Sequence, residues 1–244
     1  MAAKRPAVVI SVFNEKGGSG KTTTACQLAG TLGRRGYDVC VADCDAQETA
    51  TKWLQRLGGK NFPASLWSGH GYGADVAMQL GVQASKYDII VVDCAPSVEQ
   101  ASTWGALLVS SLAIIPTRLN MGDLAALPAA KRLVRKVWDT LHENAVQAGR
   151  TPAPNFPARV LPVAARLHLK DEEKALESQS KDKEFPLASV PLGDRKAYPR
   201  SMIYGSSVHN VPNSADSIRE VEALVDEVLT ILKMPLQREE RLAA

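Results

Sequence analysis

An apolar run, a glycine-rich segment and a helix-forming segment follow one another directly near the start of the chain. Ala7–Phe13 reads AVVISVF, residues 14–20 read NEKGGSG, and the sequence continues KTTTACQLAG. A short run rich in β-branched residues predicts a buried strand, and glycines permit the tight turn that joins it to a helix. The chain therefore begins with a strand–loop–helix unit, which is typical of a parallel sheet covered by helices.

Further apolar runs alternate with helical patterns along the chain. They are YDVCVAD from Tyr37, YDIIVVD from Tyr87, SLAIIP from Ser111, ARVLPVAA from Ala158 and FPLASV from Phe185. Helices are predicted at 21–35, 46–57, 73–84, 98–108, 123–148, 171–181, 196–204 and 214–233. The alternation predicts an α/β fold with a doubly wound, mostly parallel sheet and helices on both faces. We expect one domain over residues 1–244, ending in a flexible, charged tail at 236–244.

Composition places few limits on function. The 244 residues are 45% hydrophobic and 23% charged, and the net charge of +3 permits contact with nucleic acid without requiring it. The four cysteines form no Cys-x-x-Cys pair, which favours a reduced, cytoplasmic setting. No apolar stretch approaches the roughly 20 residues needed to cross a bilayer. We therefore expect no membrane partner.

The glycine-rich segment has the composition of a phosphate-binding loop. Its residues Gly17, Gly18, Ser19 and Gly20 would direct backbone N–H groups at phosphate oxygens. Lys21 would reach the β- and γ-phosphates, Thr22 would ligate Mg²⁺, and Thr23 completes the nucleotide-binding segment. Glu15 replaces the usual first glycine, and a second lysine, Lys16, stands beside it. The alternative is a glycine-rich turn that binds no ligand.

Aspartates end two of the predicted strands. Asp43 and Asp45 close the second strand in VADCDAQ, and Asp93 closes a later one in YDIIVVDCAPS. The carboxyl ends of parallel strands meet at one edge of a sheet, so these side chains are expected above the glycine-rich loop. There they would serve a metal ion and a water molecule. The alternative for each aspartate is a helix cap.

Three motifs between Asn14 and Pro96 resemble those of a known family. K-G-G-x-G-K-T-T with an early lysine, D-x-D-x-Q and D-x-x-P resemble the deviant Walker A P-loop ATPases. The resemblance is closest to the small ParA-type DNA partition ATPases that lack an N-terminal helix-turn-helix. Ala46 departs from the proline that many members have, whereas Gln47 is kept. The resemblance implies ATP and Mg²⁺ as cofactors.

The resemblance also implies roles for individual residues. Lys16 would reach across a dimer interface to the nucleotide of the partner, while Lys21 serves its own subunit. Asp45 would orient the attacking water, with Asp43 as its structural neighbour close to the metal. Asp93 would hold Mg²⁺ through water. Lys16, Asp45 and Lys21 are thus the expected catalytic residues.

A base pocket and a DNA surface are further implications of the resemblance. The base pocket would include Pro116, Thr117 and the segment at Pro191, with Arg195 close to the nucleotide. The residues expected to contact DNA phosphates are Lys196, Arg200 and Arg219. Solvated surface charge is the alternative for each of them. A second basic run is equally consistent with a solvated helix, a partner surface or DNA; it comprises Lys131, Arg132, Arg135 and Lys136.

The resemblance implies an ATP-dependent DNA segregation ATPase. Such a protein forms an ATP-sandwich homodimer, binds DNA nonspecifically and hydrolyses ATP slowly when stimulated by a ParB-like or small centromere-binding partner. It would be associated with the nucleoid. Two alternatives stay open, a biosynthetic P-loop ligase of the dethiobiotin or cobyrinate synthase type and a ParA-like positioner of a protein cluster. Membrane-cycling and iron–sulfur relatives are disfavoured, because Pro235 interrupts the C-terminal segment and Cys94 lacks a second cluster ligand.

Overall fold

Seven strands form one parallel sheet in the computed structural model, which describes residues 6–56, 62–97 and 100–236. The strands are β1 (Val8–Val12), β2 (Val39–Asp43), β3 (Ser65–Ser68), β4 (Ile89–Asp93), β5 (Leu112–Thr117), β6 (Ala158–Ala165) and β7 (Leu192–Gly193). The helices are α1 (Lys21–Arg34), α2 (Thr49–Leu54), α3 (Val76–Gln83), α4 (Ala101–Leu108), α5 (Met121–Gln147), α6 (Lys170–Gln179), α7 (Ala197–Ile203) and α8 (Ala215–Ile231). The predicted α/β fold is confirmed.

The strand order places the glycine-rich loop at the centre of the sheet. The order is β3-β2-β4-β1-β5-β6-β7, so β1 lies between β4 and β5. The register aligns Val12 with Asp93 and Asp43 with Asp93 on neighbouring strands. Because all strands run in the same direction, the loops after β1, β2, β4, β5 and β6 meet at one edge. That edge carries the candidate site.

Two apolar clusters cover the two faces of the sheet. Leu28 of α1 and the apolar side of α8, including Val221 and Val225, pack on one face. Leu107 of α4 and Val134 of α5 pack on the other face. The central strands are buried on both faces, which explains why their sequences are continuous apolar runs rather than alternating ones.

The sheet differs from the sequence prediction at its two edges. The run from Phe185 makes only one bridge, between Leu187 and Val160, and the last strand is the short β7 instead. Pro186 has no N–H to donate, and Phe185 is buried against Trp138. The edge strand β3 was not predicted, because its four residues are half-buried or exposed and show no apolar run. Of the predicted tail at 236–244, residues 237–244 lie outside the described ranges.

Candidate nucleotide-binding site

The loop between β1 and α1 has the geometry of an anion cradle. Gly18 and Gly20 adopt positive φ angles of 73° and 91°, which side chains disfavour. A Cβ on Gly20 would also lie 3.0 Å from Cγ2 of Val163. No side chain of the described residues caps the first turn of α1, and that turn contains no acidic residue. The N–H groups at this helix start are therefore available to a phosphate.

Lys21 places a buried cation inside the loop. It is the first residue of α1, and its Nζ donates a hydrogen bond to the carbonyl oxygen of Lys16 over 3.0 Å. Burial lowers the pKa of Lys21, while the nearby carboxylates of Asp93 and Asp45 oppose that shift. A polyphosphate would supply the negative charge that a desolvated ammonium lacks. Lys21 fits the phosphate-binding lysine of such a loop.

Lys16 lies at the opening of the loop, bound to a carboxylate of its own chain. Its Nζ is 2.7 Å from Oδ1 of Asp123, with the lysine side chain 43% exposed and the aspartate side chain 4% exposed. Asn120 caps α5, accepting a hydrogen bond from the Asp123 N–H and donating one to Asp123 Oδ2 over 2.6 Å. The Asp123 carboxylate is therefore held in one position. Neither residue type nor spacing in the sequence marks Asp123 as the partner of Lys16.

Asp93 supplies a buried carboxylate at the end of β4. Neither carboxylate oxygen of Asp93 accepts a hydrogen bond from any of the described residues. Burial raises the pKa of Asp93 to about 8, although the neighbouring Thr22 hydroxyl and the Lys21 ammonium act in the opposite direction. Divalent cations such as Mg²⁺ prefer hard oxygen ligands, and a carboxylate without another partner can serve as one. Thr22 and Asp93 thus fit a Mg²⁺ site, where the ion would neutralise phosphate charge.

The two aspartates after β2 differ in their contacts. Asp43 Oδ2 accepts hydrogen bonds from both the backbone N–H and the hydroxyl of Thr51, each over 2.8 Å, and its Oδ1 accepts one from the Asp45 N–H. Burial raises the pKa of Asp43, and these hydrogen bonds oppose the shift. Asp43 therefore fixes the start of α2. Among the described residues, the side chain of the half-buried Asp45 accepts a hydrogen bond only from the Gln47 N–H. Asp45 is the more available carboxylate.

A cavity of about 270 Å³ adjoins the loop and provides space for a base or ribose. Its lining includes Gly20, Thr23, Arg118 and Ala164. Ala164 has a φ of 48°, and the register of β6 against β7 shifts at this residue. Backbone strain at a pocket wall is typical of functional sites. Cavity and loop thus form one continuous site.

The structure corrects the predicted base pocket on one side. Pro116 and Thr117 are buried inside β5, where the Pro116 carbonyl and the Thr117 hydroxyl accept hydrogen bonds from Asn14. They anchor the glycine-rich loop and do not line the cavity. Arg118, the next residue, does. Its position directly after the buried strand β5 is the sequence signal that marks it.

Pro191 and Arg195 line a second cavity, of about 350 Å³, beside the first. Arg195 lines both cavities and forms ion pairs with Asp216 and Glu220. Glu220 also accepts hydrogen bonds from the Gly193 N–H and the Tyr198 hydroxyl. Arg195 therefore lines the cavity beside the glycine-rich loop, and its charge is matched by two carboxylates of α8.

The candidate DNA residues lie on α7 and α8. Lys196, directly before α7, and Arg200 of α7 are exposed, whereas Arg219 of α8 is paired with Asp216. In the second basic run, Lys131 is paired with Asp182 and Arg135 with Glu184. Both cations also lie over the ring of Phe185. Lys131 and Arg135 thus fasten α5 to the segment before β7, and the charges of these two residues of the run are matched by carboxylates.

The fold and the site together define a P-loop ATPase with ATP and Mg²⁺ as its cofactors. The loop, Lys21 and the Thr22–Asp93 pair supply the phosphate and metal contacts of that class. The family model of the CobQ/CobB/MinD/ParA nucleotide binding domain matches residues 10–208. The chain belongs to this family, which confirms the predicted fold and enzyme class. No helix in the described ranges is both long and apolar enough to cross a membrane.

Individual relatives differ in the processes that their names describe. "Maintenance of carboxysome distribution protein A" of Halothiobacillus neapolitanus is 32% identical over 51% of this chain and 56% of its own length. "Chromosome-partitioning ATPase Soj" of Thermus thermophilus is 28% identical over 45% of this chain and 54% of its own length. The chain thus aligns with about half of each relative. A plasmid partition protein of Borrelia burgdorferi bound to AMPPNP superposes with a TM-score of 0.70 and 20% identity, covering 92% of this chain and 99% of the other.

Proposed function

We propose that the protein is an ATP-driven segregation ATPase that dimerises around two ATP–Mg²⁺ and binds DNA without sequence preference. Hydrolysis, stimulated by a partner protein, returns it to a monomer that releases DNA. Lys16 contributes its charge to the γ-phosphate of the opposite subunit, Lys21 binds the phosphates of its own subunit, and Asp45 positions the water. The site is therefore complete only in the dimer.

The observation that carries this proposal is the different placement of the two loop lysines. Lys21 is buried in the loop, whereas Lys16 projects from the opening and is bound to Asp123. A lysine that binds the phosphates of its own subunit's nucleotide would be buried inside the loop, as Lys21 is. A half-exposed ammonium at the outer rim of the loop can reach a second molecule that docks on this edge. The position of Lys16 supports a role between subunits.

A direct structural connection supports nucleotide control of DNA binding. Gln27 of α1, the helix that begins at the phosphate loop, donates a hydrogen bond to Ser201 of α7 over 2.8 Å. The same side chain accepts one from the Val208 N–H after α7. Tyr198 of α7 also lines the nucleotide cavity. A change at the phosphate loop can therefore reposition the helix that carries Lys196 and Arg200.

The names of the relatives describe different cargoes. The Thermus relative is named for chromosome partitioning, and the Halothiobacillus relative is named for the distribution of carboxysomes. We propose segregation of DNA through a ParB-like or centromere-binding partner as the first candidate. Positioning of a protein assembly on the nucleoid is the second candidate. The two share ATP-dependent DNA binding and differ in the partner that stimulates hydrolysis.

The test is retention of unrelated DNA duplexes by the full chain with ATP and with ADP. The proposal predicts that ATP-bound protein retards all duplexes alike and that ADP-bound protein releases them. Its affinity should fall steeply with salt, because phosphate contacts release counterions. Equal retention with both nucleotides would contradict nucleotide control. A lack of DNA binding, together with ATP turnover that depends on a small carboxylic acid, would instead favour the biosynthetic ligase.

A further inference from the structure

The outer side of α7 combines cations with exposed apolar side chains. Lys196, Arg200, Ile203 and Tyr204 are spaced at i, i+4, i+7 and i+8 and therefore share one side of the helix. Ile203 is 59% exposed and Tyr204 is 43% exposed. The opposite side of α7 is buried through Ala197, Tyr198 and Ser201.

The end of α2 extends this surface. Gly205 follows α7 with a positive φ of 55°, and a Cβ there would lie 2.8 Å from the carbonyl oxygen of Arg56. The exposed Arg56 therefore adjoins Tyr204. We call the five residues Arg56, Lys196, Arg200, Ile203 and Tyr204 the α7 surface. Residues 57–61, which follow Arg56 in sequence and lie outside the described ranges, include one lysine and no carboxylate.

Among the described residues, the cations of the α7 surface have no acidic ion-pair partner, unlike the arginines that contact α8. Arg35, Arg159 and Arg195 each form an ion pair with α8. No carboxylate of the described residues lies within ion-pair distance of Arg56, Lys196 or Arg200. Their positive charge is therefore available to an external polyanion, and complementarity of charge favours nucleic acid as the occupant.

The backbone hydrogen bonds at the C-terminal end of α7 do not involve the exposed apolar side chains. The N–H of Tyr204 donates to the Arg200 carbonyl, and that of Gly205 donates to the Met202 carbonyl. The N–H of Ser206 donates to the Ser201 carbonyl, and the Ser206 carbonyl accepts a hydrogen bond from the Trp53 indole of α2. The backbone is thus satisfied and anchored to α2 without the side chains of Ile203 and Tyr204.

We infer that the α7 surface binds duplex DNA through two kinds of contact. Arg56, Lys196 and Arg200 bind phosphates, and Ile203 and Tyr204 pack against sugars and base edges in the adjacent minor groove. Apolar side chains are used in this way by proteins that bind DNA without reading its sequence. This inference rests on the proposed DNA binding and adds that part of the affinity does not depend on salt.

Two substitutions separate the two kinds of contact in the full chain. The assay measures the affinity of the AMPPNP-bound protein for a fluorescent duplex of arbitrary sequence as a function of salt. Arg200→Ala should reduce the slope of log affinity against log salt by about 0.9 for each subunit of the dimer that contacts the duplex, since each such subunit loses one phosphate contact. Tyr204→Ser should weaken binding by about five- to tenfold at every salt concentration and leave the slope unchanged.

Matched controls are available elsewhere on the surface. Tyr72 is 42% exposed and lies on the short 3₁₀ helix beside β3, so Tyr72→Ser removes a comparable tyrosine. Arg132→Ala removes an exposed arginine of α5. Both controls should bind DNA as the parent does. Unchanged thermal unfolding and nucleotide affinity of Tyr204→Ser and Arg200→Ala would establish that both variants are folded.

The outcomes distinguish this inference from the proposed function. A parent protein that binds no DNA would overturn both. DNA binding that Tyr204→Ser leaves unchanged would overturn the apolar contact while preserving the proposed function. A change in slope with Tyr204→Ser would make its effect electrostatic and contradict the inference. Binding to anionic vesicles that Ile203→Ser abolishes, with DNA binding intact, would assign the α7 surface to lipid.

Discussion

Replacing Asp123 by asparagine should release Lys16 and strengthen ATP-dependent dimerisation. In the monomer the lysine ammonium is bound to the buried carboxylate over 2.7 Å. In the proposed dimer it must leave that carboxylate to reach the nucleotide of the other subunit. Breaking the contact therefore opposes dimerisation. Asp123→Asn keeps the shape of the side chain and one oxygen for the Asn120 amide, but removes the charge that retains Lys16.

The size of this effect follows from the surroundings of the pair. Exposed ion pairs contribute about 0.2–1 kcal/mol, and hydrogen bonds to charged groups contribute about 1.5–3 kcal/mol. One partner here is buried and the other is 43% exposed, so an intermediate value of about 1–2 kcal/mol is appropriate. A dimer breaks two such contacts, which amounts to about 2–4 kcal/mol. The dimer dissociation constant should therefore fall by about 30- to 1,000-fold.

Sedimentation velocity with AMPPNP and Mg²⁺ measures the predicted change. Asp139→Asn is the matched control, because Asp139 is an exposed aspartate on the same helix. Asp123 lies in the first turn of α5, so its loss should also cost about 1 kcal/mol of stability, which thermal unfolding would detect. A dissociation constant within about twofold of the parent value would refute the proposed retention of Lys16.

Three further substitutions test other parts of the structure. Lys21→Ala should reduce ATP affinity by about 100-fold or more in calorimetry, because the loop loses its buried cation; unchanged affinity would contradict the phosphate site. Gly33→Ala should destabilise the protein by about 2–4 kcal/mol in denaturant unfolding, since the new Cβ would lie 1.7 Å from the Pro63 carbonyl oxygen. The control Gly81→Ala, in open space on α3, should not destabilise it. Asp45→Ala should slow hydrolysis by about 100-fold while ATP-bound dimer accumulates, and a parental rate would return the catalytic role to another group.

Much of the fold was predictable because its signals are local. The central strands are buried on both faces and therefore appear as continuous apolar runs, and the phosphate loop is recognisable from its glycines and Lys21 alone. The edges carried weaker signals. β3 is short and partly exposed, and β7 has only two residues. Such strands depend on pairing with a neighbour, which a single sequence does not reveal.

The contacts within the site were less predictable, because they join distant segments. The partner of Lys16 lies on α5, and neither residue type nor local spacing marks Asp123 for that role. Similarly, the sequence is equally consistent with a solvated, a partner-binding or a DNA-binding Lys131, whereas the structure pairs this residue with Asp182 beyond α6. Which cations stay free depends on tertiary placement. Lys196 and Arg200, unpaired among the described residues, therefore support our proposal of DNA binding at α7, whereas Lys131 and Arg135 of α5 are paired with carboxylates.

The most direct test of the central claim is a mixture of Lys16→Ala and Asp45→Ala proteins. Each variant alone should hydrolyse ATP very slowly, because every site lacks either the lysine or the aspartate. In a mixed dimer, the Lys16→Ala subunit keeps its own Asp45 and receives Lys16 from its partner, so one of the two sites is complete. An equimolar mixture should therefore recover about a quarter of the parent rate, if subunits exchange randomly in a symmetric dimer. A mixture that stays as slow as its components, while an affinity tag on one variant retains the other and so shows that mixed dimers form, would place Lys16 in its own subunit's site and contradict the account.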